Sequence, residues 1–218
     1  GCDPWDRFAN ILVKNSDTNQ WYEMARHITP YGVGNSVLDR GLEVDVTDFK
    51  SLLVGNVELK TYAETWVSSG WVISIEFDFL AGDPDYKYYQ ITPVIQFNNN
   101  SLSGVPYGGE NGVTELDETK FDLKKSISLG SNIKSAHFRT IISGWGHATP
   151  ADSDGRACAE WCFRTHKIKI DNTDKFSHYM GPIGCSSNPI TNQGGNWSPD
   201  RAGWCPGMVV PVRIDQFN

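Results

Sequence analysis

An all-β fold of two adjacent antiparallel β-sandwich domains, with jelly-roll topology, is what this sequence predicts. Three observations lead there. Apolar residues recur with period two in run after run, long amphipathic helices are absent, and a turn-rich break at Ala81-Gly82-Asp83-Pro84-Asp85 divides the chain. The expected boundaries are 1–80 for an N-terminal jelly roll, 81–87 for a linker and 88–218 for a C-terminal jelly roll.

Taken in order, Phe8 to Lys14 and Trp21 to Ile28 read as a hairpin around Asn15-Ser16-Asp17-Thr18-Asn19, a loop of turn-forming residues. A short helical turn is expected near Asp45 to Leu53. Val57 to Trp66 alternates, which predicts Val57, Leu59 and Ala63 on one face and Glu58, Lys60, Tyr62, Glu64 and Trp66 on the other. Ile73, Ile75, Phe77 and Phe79 alternate with Ser74, Glu76 and Asp78. These two runs are expected to be neighbouring strands joined at Ser68-Ser69-Gly70. Past the linker, strands are predicted near Tyr88 to Phe97, Lys134 to Ser143 and Phe163 to Ile170. The long segments Gly144 to Ala157 and Met180 to Met208 carry much of the Gly, Pro, Trp and Cys. Loops of that length are uncommon unless functional.

Composition narrows the function. A net charge of −7 supplies no basic field for nucleic acid or for an anionic membrane surface. No apolar run approaches the ~20 residues that a spanning helix needs. Eight Trp among 12% aromatic residues suit a sugar site, because pyranose C–H faces stack on indoles, although tryptophans equally build cores. The five cysteines are Cys2, Cys158, Cys162, Cys185 and Cys205. Disulfides in a secreted or periplasmic β protein fit them better than zinc, for which Cys158-x3-Cys162-x3-His166 is the alternative ligand set. The odd count leaves Cys2 as the orphan, at an abrupt start of the chain.

Three carboxylates sit among aromatic residues: Asp6 in Trp5-Asp6-Arg7, Glu64 beside Tyr62 and Trp66, and Glu160 inside Cys158-Ala159-Glu160-Trp161-Cys162. A carboxylate held in a tight loop is preorganised for catalysis. Each also has a plain alternative. Asp6–Arg7 can be a surface ion pair, Glu64 a solvated strand face, and Glu160 a solubilising loop residue. His27, His137, His166 and His178 lie in or beside strands, where structural roles are commoner; His147 alone sits on a loop of functional composition. No nucleophile elbow, phosphate-binding loop, HExxH motif or dinucleotide fingerprint occurs, and nothing suggests an organic cofactor.

Several long motifs closely resemble peptide-N-glycosidase F of the flavobacterial type. They are Cys2-Asp3-Pro4-Trp5-Asp6-Arg7, Arg40 to Phe49, Tyr62 to Trp66, Ser143 to His147, Cys158 to His166 and Pro199 to Gly207, so the similarity runs from Cys2 to Asp215. The resemblance implies two eight-stranded jelly rolls side by side with the active site at their interface. It implies a metal-free amidase that hydrolyses the bond between Asn and the first N-acetylglucosamine of N-linked glycoproteins or glycopeptides, acting as a monomer. Asp6 then matches the principal catalytic carboxylate, Glu160 a second acid, and Glu64 a third that holds substrate. Arg201 matches an arginine organising Asp6 and Glu160. Trp66, Trp145, Gly146 and Trp204 match the chitobiose pocket, with Trp5, Arg7 and His147 nearby. The implied disulfides are Cys158–Cys162 and Cys185–Cys205. Family members also carry strands before Gly1 and after Asn218, so each jelly roll is expected to be truncated at its outer end. Two other classes remain open: a glycan-binding jelly roll without catalysis, and a glycoside hydrolase using Asp6 and Glu160 as a carboxylate pair to cut within the chitobiose core.

Overall fold

A hairpin organises the first half of the molecule. In the computed structural model, which describes residues 2–34, 37–83, 85–86, 88–94, 125–144, 147–148 and 158–217 (147–148 and 158–159 as backbone only), β1 (Phe8–Asn15) and β2 (Gln20–Ile28) pair antiparallel. The connecting loop forms because Asn15 Oδ1 accepts the backbone N–H groups of Asp17 and Thr18, and Asn19 takes the left-handed conformation that asparagine tolerates. Register shifts between Ile11 and Leu12, where Met24 is the extra residue opposite β1. That bulge resets the alternation. Tyr22 and Met24 enter one buried cluster with Val13 and Phe49, whereas Ile28 joins a second with Trp204 and Val210.

The expected helical turn is a 3-10 helix, Thr47–Leu52, and it lowers Phe49 into the first cluster. β3 (Leu59–Ala63) pairs with β1, not with the run that follows it, which corrects the predicted neighbours. Leu59 is exposed, while Tyr62 turns inward beside the Phe8 ring. Residues 71–79 form no ladder, yet burial alternates from Trp71 to Asp78 as the sequence predicts and Phe77 packs against the first cluster; Phe79, expected on the same face, is exposed instead. Period two here reports one covered face, not hydrogen-bonded pairing. Tyr88–Val94 likewise forms no strand, although Ile91 packs on the same cluster; 95–97 lie outside the described residues.

In the second half, β4 (Ala136–Ile141) pairs with β10 (Val212–Phe217), and β7 (Arg164–Ile170) with β8 (Thr173–Met180). The β7–β8 turn uses Asp171 and Asn172, both with positive φ, the geometry of a two-residue hairpin loop. Short β5 (His147–Ala148) pairs with β6 (Cys158–Ala159). β9 (Met208–Val209) crosses over to the edge of β2 and completes a four-stranded sheet of order β3-β1-β2-β9. Apart from 3-10 turns, the described residues hold no helix, so the fold is all-β.

Candidate active site

Strand register decides which residues meet. Phe8 opposes Ile28, Ala9 opposes Ala63, and Ile28 opposes Met208. The segment before β1, the exit of β2, the exit of β3 and the approach to β9 therefore converge on one end of the sheet. They carry Asp6, Tyr31, Glu64 and Arg201.

Arg201 is the hub and is fully buried. Its Nε donates to Glu160 Oε1 at 2.6 Å and lies 3.9 Å from Asp6 Oδ2. Nη1 donates to the carbonyls of Trp197 (3.3 Å) and Pro199 (2.9 Å), and Nη2 to Tyr31 Oη (3.0 Å) and the Asn196 carbonyl (2.6 Å). All five guanidinium N–H groups are thus spent on the protein. Trp161 and Trp204 lie against the guanidinium at 4.5 and 5.4 Å. The Ala202 N–H donates to the Glu160 carbonyl, so backbone and side chain together join the two segments.

Tyr31 links the arginine to Asp6. Its hydroxyl accepts from Arg201, which leaves its proton for the Asp6 carboxylate. Burial pushes the Asp6 carboxyl above the usual range, against the downward pull of the Tyr31 hydrogen bond, Arg201 and Arg7. Burial and the Asp6 charge push the Tyr31 phenol far upward, so it stays protonated as a donor. The backbone of Tyr31 is pinned by Gln193 Oε1 and by Gly194 N–H. Gly195 has φ +62° and a Cβ there would come within 2.5 Å of the Tyr31 ring, so the close approach requires glycine.

A second cluster flanks the first. The Arg7 guanidinium lies 4.0 Å from the Trp66 ring centroid, and Trp66 Nε1 donates to Glu64 Oε1 at 2.9 Å. Glu64 Oε2 and Arg7 Nη2 are buried and have no hydrogen-bond partner among the described residues. Trp66 is 70% exposed and Trp5 57%, and Trp5 meets Tyr31 edge-on. Beneath them Asp3 is fully enclosed. Burial alone would push its carboxyl up, but Arg7 and the N–H groups of Trp5 and Trp66 hold it below the usual range.

The structure thus brings Asp6, Glu160 and Arg201 together and sets Glu64, Arg7, Trp66 and Trp5 beside them. Trp204 is placed differently from the pocket wall that the resemblance implies. It is fully buried between Ile28 and Val210, and it reaches the site only through Arg201. Trp145 and Gly146 lie outside the described residues. The backbone of His147 pairs with Ala159, next to Glu160, and its side chain is not described. The Cys185–Cys205 disulfide is present, closing the loop that carries Arg201. Cys162 is disulfide-bonded, which removes it from the zinc set; the Cys158 side chain lies outside the described residues. Cys2 is free. Tyr31 and Asp3 are the site residues that the sequence does not single out. Only their places, in Pro30-Tyr31-Gly32 after a strand and in Cys2-Asp3-Pro4 before one, hint at them.

Residues 3–79 match the family model "Peptide-N-glycosidase F, N terminal" and residues 114–217 match "Peptide-N-glycosidase F, C terminal". The chain is 58% identical over 218 residues to the peptide-N(4)-(N-acetyl-beta-D-glucosaminyl)asparagine amidase F of Elizabethkingia miricola. That match covers 100% of this chain and 59% of the relative, so the chain spans about three fifths of the length of that curated protein. A crystal structure of a peptide-N(4)-(N-acetyl-beta-D-glucosaminyl)asparagine amidase superposes with a TM-score of 0.82 at 51% identity, covering 100% of this chain and 68% of the other. PNGase F of Flavobacterium meningosepticum, described as a glycosylasparaginase, gives 0.79 at 50% identity, with 100% and 68% covered. These solved relatives are built of two β-sandwich domains, in keeping with the all-β strands here. With both family models matched in order and half the residues shared with a solved member, the chain belongs to the peptide-N-glycosidase F family.

Proposed function

We propose that this protein hydrolyses the amide between an asparagine side chain and the first N-acetylglucosamine of an N-linked glycan. The products are an aspartate in the peptide and a glycosylamine. The observation that carries this is the pairing of Asp6 and Glu160 around one buried arginine whose donors are all spent.

In this mechanism water attacks the amide carbon, the C–N bond breaks, and the nitrogen leaves with the sugar after gaining a proton. Asp6 moves the proton: it takes one from the attacking water and returns it to the departing nitrogen, help worth roughly 10²–10⁴ in rate. Its raised pKa suits both halves of that exchange. Tyr31 holds Asp6 directly and Glu160 does so through Arg201, which contributes fixed positive charge but has no N–H left for an oxyanion. Glu64 has a substrate-holding role beside them, and the exposed Trp66 and Trp5 rings wall the chitobiose, a role the resemblance also gives to Trp145, Gly146 and His147. The monomer is the working unit this reading takes. The Cys185–Cys205 disulfide fits an oxidising, secreted or periplasmic setting.

The test is a defined N-glycopeptide incubated with the full-length protein in heavy-oxygen water, followed by mass measurement of the released peptide. Aspartate carrying solvent oxygen at the former glycan site is the expected product. Asparagine retaining one N-acetylglucosamine would make the protein a glycosidase, and an unchanged but bound glycopeptide would make it a lectin.

A further inference from the structure

Asp3 has no exposed surface, so it touches no ligand, yet its carboxylate collects four donors. Oδ1 accepts the Trp5 N–H at 3.0 Å. Oδ2 accepts Arg7 Nε at 2.9 Å, the Trp66 N–H at 3.0 Å and Thr65 Oγ1 at 3.2 Å. Its carbonyl takes the Gly32 N–H at 2.9 Å, next to Tyr31. One residue therefore ties together three of the four segments that meet at the end of the sheet.

Trp66 explains why that matters. Its residue lies beyond the β1–β3 ladder, and its ring is 70% exposed, so strand pairing does not hold it. Three ties do: its N–H to Asp3, its indole N–H to Glu64, and the Arg7 guanidinium against its ring. Asp3 makes the first directly and aims the third by gripping Arg7 Nε. We propose that Asp3 is a positioning residue for glycan recognition, holding the Trp66–Arg7 wall at a fixed place relative to Asp6. This rests on reading the cleft as a glycan site.

The chemistry demands a carboxylate. Asparagine has the same shape, but it offers one acceptor oxygen and turns two hydrogens toward groups that are themselves donors. With the amide oxygen at the Oδ2 place, the bond to Arg7 loses its charge assistance and the amide nitrogen meets the Trp5 N–H donor to donor. A purely structural role would lower thermal stability and the active fraction. A positioning role moves sugar affinity through Trp66.

The experiment measures Kd for a chitobiose-core glycopeptide by calorimetry, together with KM and kcat, in full-length parent, Asp3→Asn, Trp66→Ala and the double variant. Asp3→Asn is expected to raise Kd and KM about tenfold, with kcat within about threefold of parent. In the Trp66→Ala background it is expected to have no further effect on Kd, because the two act as one unit. Thr65→Val, which removes the hydroxyl contact to Oδ2 together with those to Val67 and Ser69, is expected to raise Kd about threefold with no further effect in the Trp66→Ala background, and carries the test should Asp3→Asn fail to fold. Unchanged Kd in the folded variants, or effects that multiply with Trp66→Ala, would overturn the proposal. A parent that binds but does not cleave, with Asp3→Asn weakening binding through Trp66, would leave Asp3 in its role and remove the amidase. A parent that neither binds nor cleaves would remove both.

Discussion

Two arginines of the cleft differ in what they can still donate. Arg201 gives all five N–H groups to the protein, whereas Arg7 keeps Nη2 back. Arg201→Lys leaves at most three donors for five acceptors and abandons much of the buried Glu160 contact, so a loss of about 3–5 kcal/mol is expected in denaturant unfolding. Asp6→Asn and Glu160→Gln are expected to cut kcat at least ~10³-fold while far-UV circular dichroism stays unchanged; near-parent turnover in either would defeat the assignment. Tyr31→Phe makes a sharper test. The hydroxyl pulls the Asp6 pKa down, so its removal moves it further up, and the acid limb of kcat/KM is expected to shift to higher pH. A limb that stays put would mean that Asp6 is not the titrating group. Asp6, Glu64, Glu160 and Arg201 were legible through long motifs rich in Trp and Cys. Tyr31 and Asp3 were not, because a lone tyrosine or aspartate beside a strand end has no spacing that marks it.

Loops and strands behave as separate problems. The loop from Cys185 to Cys205 is closed by a disulfide with sequence separation 20, and inside it Asp200 Oδ1 accepts the N–H groups of Gly184 and Cys185. Replacing both cysteines by serine is expected to cost about 3 kcal/mol and to lower activity together with stability, since Arg201 rides on this loop. Gly195→Ala, which drives a methyl into the Tyr31 ring at a positive φ, is expected to reduce kcat without touching any acid. Strand prediction succeeded where alternation coincided with a hairpin loop, as in β1–β2. It missed β8, whose two-residue Asp171-Asn172 turn is a hairpin signal in its own right. It paired β3 wrongly because alternation states which side chains are covered and says nothing about the strand alongside.

Across the molecule, the two halves are joined by polar clasps. Arg139 on β4 donates to the Met24 and Asp45 carbonyls and to Asp48 Oδ2, and Arg26 on β2 reaches Ser143 Oγ. β9 lies along β2 at His27 and Ile28, so the seam runs through a histidine. Burial pushes His27 down to about 4. An unfolded histidine near 6.5 takes up its proton first, so the neutral form contributes stability that is present above pH ~6.5 and lost as pH falls toward 4, about 3 kcal/mol at most. Urea midpoints are expected to fall across that window. His27→Gln should flatten the profile, and an unchanged slope would remove His27 as its source.

By itself, the sequence determined the all-β class, the first hairpin, the helical turn and, through its motifs, the family and its acids. Those are local or linear properties: side-chain period, turn chemistry and runs of rare residues. Tertiary structure alone decided that Asp6, Tyr31, Glu64 and Arg201 share one end of a sheet, that Trp204 is core, and that Asp3 collects Trp5, Arg7, Thr65 and Trp66. Proximity between residues far apart in the chain is set by strand register and crossover, and neither is written in the composition of any one segment.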